Sequence, residues 1–177
     1  KITIAGQTAP GDGIGLKDGR ILITGDDSVI RHIRVRHGKY GGAGDCINIE
    51  SSANKTMLDH LSLMFSTDEN LSFFNSAANN FTFQYSNTAW GMERHNAGGL
   101  CDMINGTCHH SLWGHHRTRN PKARPNGLLE WINNVTFHWR SEGFIMGDSQ
   151  SNTNWKTNVR GCYFISIPDW EFSLRTK

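Results

Sequence analysis

A short alternating apolar and polar stretch returns about every 25 residues along this chain, and nothing else in the sequence narrows its fold as much. The stretches holding Ile33-Arg34-Val35, Leu58-Asp59-His60, Phe83-Gln84-Tyr85, Cys108-His109-His110, Ile132-Asn133-Asn134 and Val159-Arg160-Gly161 follow at intervals of 25, 25, 25, 24 and 27 residues. Within them side chains alternate with the period of two of a half-buried strand, as from Thr56 to Leu63 and from Phe81 to Tyr85. Gly, Asn, Asp and Ser collect between the stretches, and helical periodicity is absent. A repeat of this size cannot bury its apolar face alone and must stack on its neighbours. The expectation is an all-β fold, a right-handed single-stranded parallel β-helix of about seven coils forming one domain over residues 1–177. A β-sandwich explains the alternation equally well but not the regular return of an aligned strand. Neither end shows an amphipathic capping helix, which points to flanking sequence or to association at the ends of an otherwise monomeric protein.

Composition removes several function classes. No apolar run approaches the roughly 18 residues of a spanning helix, so no membrane role is expected. A net charge of +2 leaves no bulk field for nucleic acid, and any anion binding must be local. The chain opens on the strand-like Lys1-Ile2-Thr3-Ile4 without a signal peptide, as a mature protein or an internal fragment would. Cys46, Cys101, Cys108 and Cys162 lack metal-binding spacing and read as buried thiols, with a Cys101–Cys108 bridge open to an exported protein.

Three clusters carry chemistry. Asp45 stands 23 and 24 residues before Asp68 and Glu69, about one repeat, so stacking at the roughly 4.8 Å strand spacing brings these acids within bridging distance of one ion. Hard oxygen ligands in a hydrated groove suit calcium; the alternative is that all three are solvated turn residues. The run His115-His116-Arg117-Thr118-Arg119-Asn120-Pro121-Lys122-Ala123-Arg124-Pro125 reads as a loop whose cations attract an acidic ligand, or as a solvated basic loop. Arg94 and His95 lie one coil earlier, where stacking sets one of them beside Arg119. The pairs His109-His110 and His115-His116 do not converge on a metal, because neighbours on a strand face opposite ways.

Ile2-Thr3-Ile4-Ala5-Gly6-Gln7-Thr8-Ala9-Pro10-Gly11, Gly44-Asp45-Cys46-Ile47, Leu58-Asp59-His60-Leu61-Ser62, Ser66-Thr67-Asp68-Glu69-Asn70, Arg119-Asn120-Pro121-Lys122-Ala123-Arg124 and Asn133-Asn134 occur in an order that resembles the pectate lyases of polysaccharide lyase family one and their bacterial relatives. The likeness runs from the first residue to about Trp139. It implies a secreted enzyme, extracellular or periplasmic, that cleaves polygalacturonate by calcium-assisted β-elimination. Carried over by position, it makes Arg119 the base of an Arg-x-Pro-x-x-Arg pattern and Asp45 and Glu69 calcium ligands; Asp68 joins them if it turns inward, and Arg124, Arg94, His95 and Lys122 are the groups expected to hold uronate carboxylates. Asp59 would support the site rather than bind metal. Two positions depart from the family pattern: an acid expected four residues after Glu69 falls on Phe73, and the substrate-binding lysine falls near Arg94 and His95. The alternative is a non-catalytic β-helix that binds acidic polysaccharide.

Overall fold

The structure is a computed structural model that describes residues 1–50, 53–73, 78–92, 95–151 and 155–166. The chain winds through three parallel sheets in turn. The first holds Ile2–Ala5, Ser28–Arg31, Asn54–Asp59, Asn79–Gln84, Asn105–His109, Leu128–Ile132 and Lys156–Arg160. The second holds Ile14–Lys17, Ile33–Arg36, Ser62–Met64, Asn87–Ala89, Leu112–Gly114, Val135–Phe137 and Tyr163–Ile165. The third holds Ile21–Ile23, Ile47–Ile49, Glu69–Phe73, Ala97–Cys101, Lys122–Ala123 and Ile145–Met146. Among the described residues this makes six complete coils and two strands of a seventh, the parallel β-helix that the repeat predicts.

The register shows why the repeat works and where it slips. Ile30, Leu58, Phe83, Cys108 and Trp131 pair in line along the first sheet and all point into the core. Ile33, aligned with Leu58 on spacing alone, instead lies in the second sheet, and the partner of Cys108 is Trp131 rather than Ile132. Coils differ in length because their corners do, and a slip of one residue in a strand exchanges its inner and outer faces. Burial decides the true register: Trp131 is fully buried while Ile132 is not. Each large apolar side chain taken out of water contributes about 1.5–3 kcal/mol.

Two corners of most coils are sharp, and both place non-glycine residues in the left-handed region. Between the first and second sheets these are His32, His60, Tyr85, His110 and Asn133; between the second and third they are Asp18, Phe65, Trp90, His115 and His138. Inside the first corner a polar ladder satisfies the turning backbone. Ser86 Oγ accepts from Leu61 N–H at 2.8 Å, Ser111 Oγ from Ser86 N–H at 3.2 Å, and Asn134 Oδ1 from Ser111 N–H at 3.0 Å. Outside it, His32, His60, Tyr85 and His110 stack ring on ring. His110 leaves the strand geometry at its positive φ, so its Nδ1 comes to lie 2.8 Å from that of His109 instead of on the opposite face.

Candidate functional site

The third sheet and the corner leading into it gather the acidic and basic clusters. Asp45 precedes Ile47–Ile49, and Glu69 opens the next strand of that sheet. Both carboxylates are nearly closed off from solvent, 6% and 4% exposed, and Asp45 Oδ1 accepts the Glu69 backbone N–H at 3.0 Å. Burial, with Asp68 nearby, pushes Asp45 up to about 6. Burial pushes Glu69 up to about 8, with Arg119 opposing the rise and Asp45 and Asp68 adding to it. Three carboxyl groups thus share one small space, and each makes the ionisation of the others harder.

Asp68 turns part of itself inward. Its Oδ1 is shut off from solvent and has no hydrogen-bond donor, with His95 Nδ1 3.4 Å away. His95 is held below its ordinary value by burial and by Arg119, which favours the neutral ring. Ligand atoms of Asp68, Glu69 and His95 lie within 4.8 Å of one another. An orphaned carboxylate oxygen among acids is a donor that a hard divalent cation satisfies, so the carboxylates of Asp68 and Glu69 fit calcium, whereas the His95 nitrogen is not a ligand that calcium takes.

Arg119 reaches this cluster from two coils further on, and its Nη1 donates to Glu69 Oε1. The coil between them supplies Ala97, paired with Glu69 on one side and Thr118 on the other, followed by Gly98 and Gly99. A side chain at Gly98 has no room: its Cβ would stand 2.6 Å from Arg119 O, 2.7 Å from Asn120 Oδ1 and 3.0 Å from His116 Nδ1. Arg119 itself has φ 56, and Gly99 N–H holds its carbonyl at 2.7 Å. A non-glycine residue in that region persists only where its surroundings over-determine it.

Those surroundings contain residues that spacing did not single out as a site. His116 is 1% exposed; burial holds it near 4, so it is neutral. Its Nδ1 meets Asn120 Oδ1 at 2.7 Å and its Nε2 meets Asn70 Nδ2 at 2.7 Å, which assigns the proton to Nδ1. Asn70 Nδ2 also donates to Ala89 O at 2.9 Å. A buried chain Asn70–His116–Asn120 therefore ties the acidic strand to the loop that carries Arg119. The only sequence signal for it was one histidine of an adjacent pair falling on the inward face.

The other predicted residues are placed as follows. Lys122 is ion-paired with Asp148. Arg124, 7% exposed, meets Asp102 Oδ2 at 3.2 Å, Asp148 Oδ2 at 3.6 Å and Gln150 Oε1. Both cations therefore have protein carboxylates as partners beside the site. Arg94 lies outside the described residues. Phe73 is fully buried and stacks on Phe81, with ring centroids 3.6 Å apart. Asp59 sits at the corner between the first and second sheets, bound by Arg31, His60 and Gln84, and supports that corner rather than the acidic cluster. Cys101 and Cys108 are buried, free thiols that face each other. Trp113 and Trp131 are core residues, whereas Trp90 is half exposed and lies flat on His115.

No family model matches the chain. Curated relatives align with all of it. It is 39% identical over 181 aligned positions to "Probable pectate lyase C" of Neosartorya fischeri, 40% to the protein of the same name in Aspergillus oryzae and 38% to that in Emericella nidulans. The chain spans 42% of the length of the first two and 41% of the third. The likeness to pectate lyases thus extends past Trp139 to the whole of the sequence. No helix among the described residues is long and apolar enough to cross a membrane.

Proposed function

We propose, for a chain homologous along its length to proteins named probable pectate lyase C, that it forms the catalytic part of a secreted lyase cleaving polygalacturonate by calcium-assisted β-elimination. The observation that carries this reading is Arg119 crossing an intervening coil to meet Glu69 within a cluster of buried acids. Asp45, Asp68 and Glu69 would hold the ion. When bound, calcium supplies a positive field beside the uronate carboxylate, where enolate charge develops.

The chain's own groups do the rest. Arg119 is engaged with Glu69, so it acts on substrate only once Glu69 has another positive partner. It can then take the C5 proton of a galacturonate only in its neutral form, after losing its own proton to solvent; the C5–H electrons form the C4–C5 double bond, the C4–O bond breaks, and the departing sugar oxygen gains a proton from water. The Asn70–His116–Asn120 chain and the Gly98–Gly99 strand hold the Arg119 backbone while this occurs. Lys122, Arg124 and Arg94 are the cations offered to neighbouring uronates and His95 offers a neutral ring as hydrogen-bond partner, while Arg124 owes its fixed position to Asp102 and Asp148. Fixed geometry of this kind replaces entropy that free reactants would lose.

A second reading, a β-helix that binds acidic polysaccharide without turnover, draws support from Phe73, whose position is closed to a ligand carboxylate. The two readings separate in one assay, the ultraviolet absorbance of the conjugated unsaturated product on unesterified polygalacturonate, with calcium and then with chelator. A calcium-dependent rise that vanishes in Arg119→Lys is expected. Binding with no rise would establish the second reading, and a rise retained in Arg119→Lys would move the base elsewhere.

A further inference from the structure

The outer face of the second sheet carries a cavity of about 560 Å³, on the far side of the Phe65 corner from Asp68 and Glu69, that the groove chemistry leaves unused. Its size lies within the roughly 300–1,000 Å³ of small-molecule sites. Alternation along Ile33–Arg36 points Ile33 and Val35 inward and Arg34 and Arg36 outward. Register sets Gly15 beside Arg34 and Lys17 beside Arg36. The missing side chain at Gly15 leaves open space over Arg34, and Gly38, at φ 66, lets Asp18 come closer than any Cβ would allow.

The charges here are unbalanced. Lys17 has Asp18 at 3.7 Å, but among the described residues neither Arg34 nor Arg36 has a carboxylate partner. Arg34 donates to Asp12 O, and Arg36 to Ser62 O at 2.7 Å and Ser62 Oγ at 2.9 Å. Those neutral acceptors, Asp12 on the coil before and Ser62 on the coil after, steady the two guanidiniums at the cavity without neutralising their charge, which leaves both open to an anion. Phe65 closes one end of the cavity with a ring 41% exposed on a left-handed backbone fastened by Phe65 N–H to Trp90 O at 3.0 Å and Gly38 N–H to Phe65 O at 2.9 Å. An aromatic face in the same cavity as two guanidiniums matches a ligand that is at once a flat-sided ring and a carboxylate.

We infer that this face is a second acidic-sugar site, in which Arg34 and Arg36 take the carboxylate of one uronate ring and Phe65 packs against the ring itself. The substrate class is shared with the reading above, but the residues are not, and the site needs no calcium. The corner that holds Phe65 leads within three residues to Asp68, so the same polymer can be retained here while another of its segments lies in the groove.

The test is calorimetric titration of the protein with unesterified trigalacturonate in excess chelator. Binding is expected, about tenfold weaker in Arg34→Gln, as loss of one charge-assisted contact implies. It should weaken also in Phe65→Ala, persist in Arg119→Gln and be absent for the methyl-esterified trimer. Inorganic phosphate serves as the small-anion probe. No binding in chelator, an unchanged affinity in Arg34→Gln, loss of binding in Arg119→Gln, or phosphate that binds as tightly as the sugar with Phe65→Ala silent would each overturn the inference. Loss of calcium-dependent elimination alone would overturn the lyase reading and leave this one standing.

Discussion

Gly98→Ala is the sharpest test of how Arg119, the proposed base, is aimed. The added Cβ meets Arg119 O at 2.6 Å, about 0.8 Å short of the 3.4 Å at which ordinary contact begins, with Asn120 Oδ1 and His116 Nδ1 nearly as close. All three atoms belong to the loop carrying the base, whereas Gly98 lies on a buried strand paired on both sides. The loop, then, is what gives way. A displacement approaching an ångström at a catalytic group lowers turnover by roughly a hundredfold, and overpacking of this kind costs about 1–3 kcal/mol of stability. The assay is the ultraviolet absorbance of the unsaturated product at saturating calcium, with a urea midpoint on the same sample. Calcium half-saturation should move far less than turnover, because Asp45 and Asp68 lie on other coils. Unchanged turnover in a folded Gly98→Ala protein would show that the loop does not set the position of Arg119.

His116→Phe removes the partner of one Asn70 Nδ2 proton and of Asn120 Oδ1 in the buried chain, and a loss of about 3 kcal/mol by urea denaturation is expected. Phe73→Asp, which restores the acid of the family pattern, buries a charge against Phe81; a loss of at least roughly 4 kcal/mol with no gain in calcium affinity by calorimetry would bear out the core role of Phe73. Glu69 is raised to about 8, so the folded chain holds more protons than the unfolded one from the ordinary carboxylate range up to that pH, and stability in chelator falls as pH rises through this window. His116, depressed to about 4, works oppositely: its contribution is complete above the ordinary 6.5 and lost as pH falls toward 4. Melting temperatures taken in chelator from about pH 7 to about pH 8, above the titrations of Asp45 and His116 and below the ordinary thiol range, therefore report chiefly on Glu69, and Glu69→Gln should flatten their decline; an equal decline in both proteins would remove Glu69 as its source.

The coils were legible because Leu58, Phe83 and Cys108 repeat at strict intervals with alternating neighbours. The errors at Ile33 and Ile132 arose where a corner gains or loses residues, since spacing counts residues and cannot tell a bend from a strand. Asp45, Asp68, Glu69 and Arg119 stood out through one-coil spacing and an ordered set of motifs. His95 was placed near Arg119 by stacking alone, and the two lie close enough for Arg119 to hold the ring below its ordinary value. Pairing was not legible: nothing in the run from Arg119 to Arg124 reveals that Asp102 and Asp148 lie opposite it, because those acids come from the preceding and following coils. Asp59 misled for the same reason. Its motif is part of the resemblance to pectate lyases, but its strand ends at another corner.

Asp45, Glu69, His95, Arg119 and Asp148 fall on five successive coils, so the solenoid axis is a scale on which chemistry is written at one mark per turn. Position on that scale changes only in whole steps. Excising the coil that carries His95, Gly98 and Gly99 would leave the stacking of strands intact in principle, yet move Arg119 one full strand spacing, about 4.8 Å, closer to Glu69. Point substitutions tune this protein continuously; its active geometry, by contrast, is an integer property, open to revision by duplication or loss of a turn and closed to gradual drift.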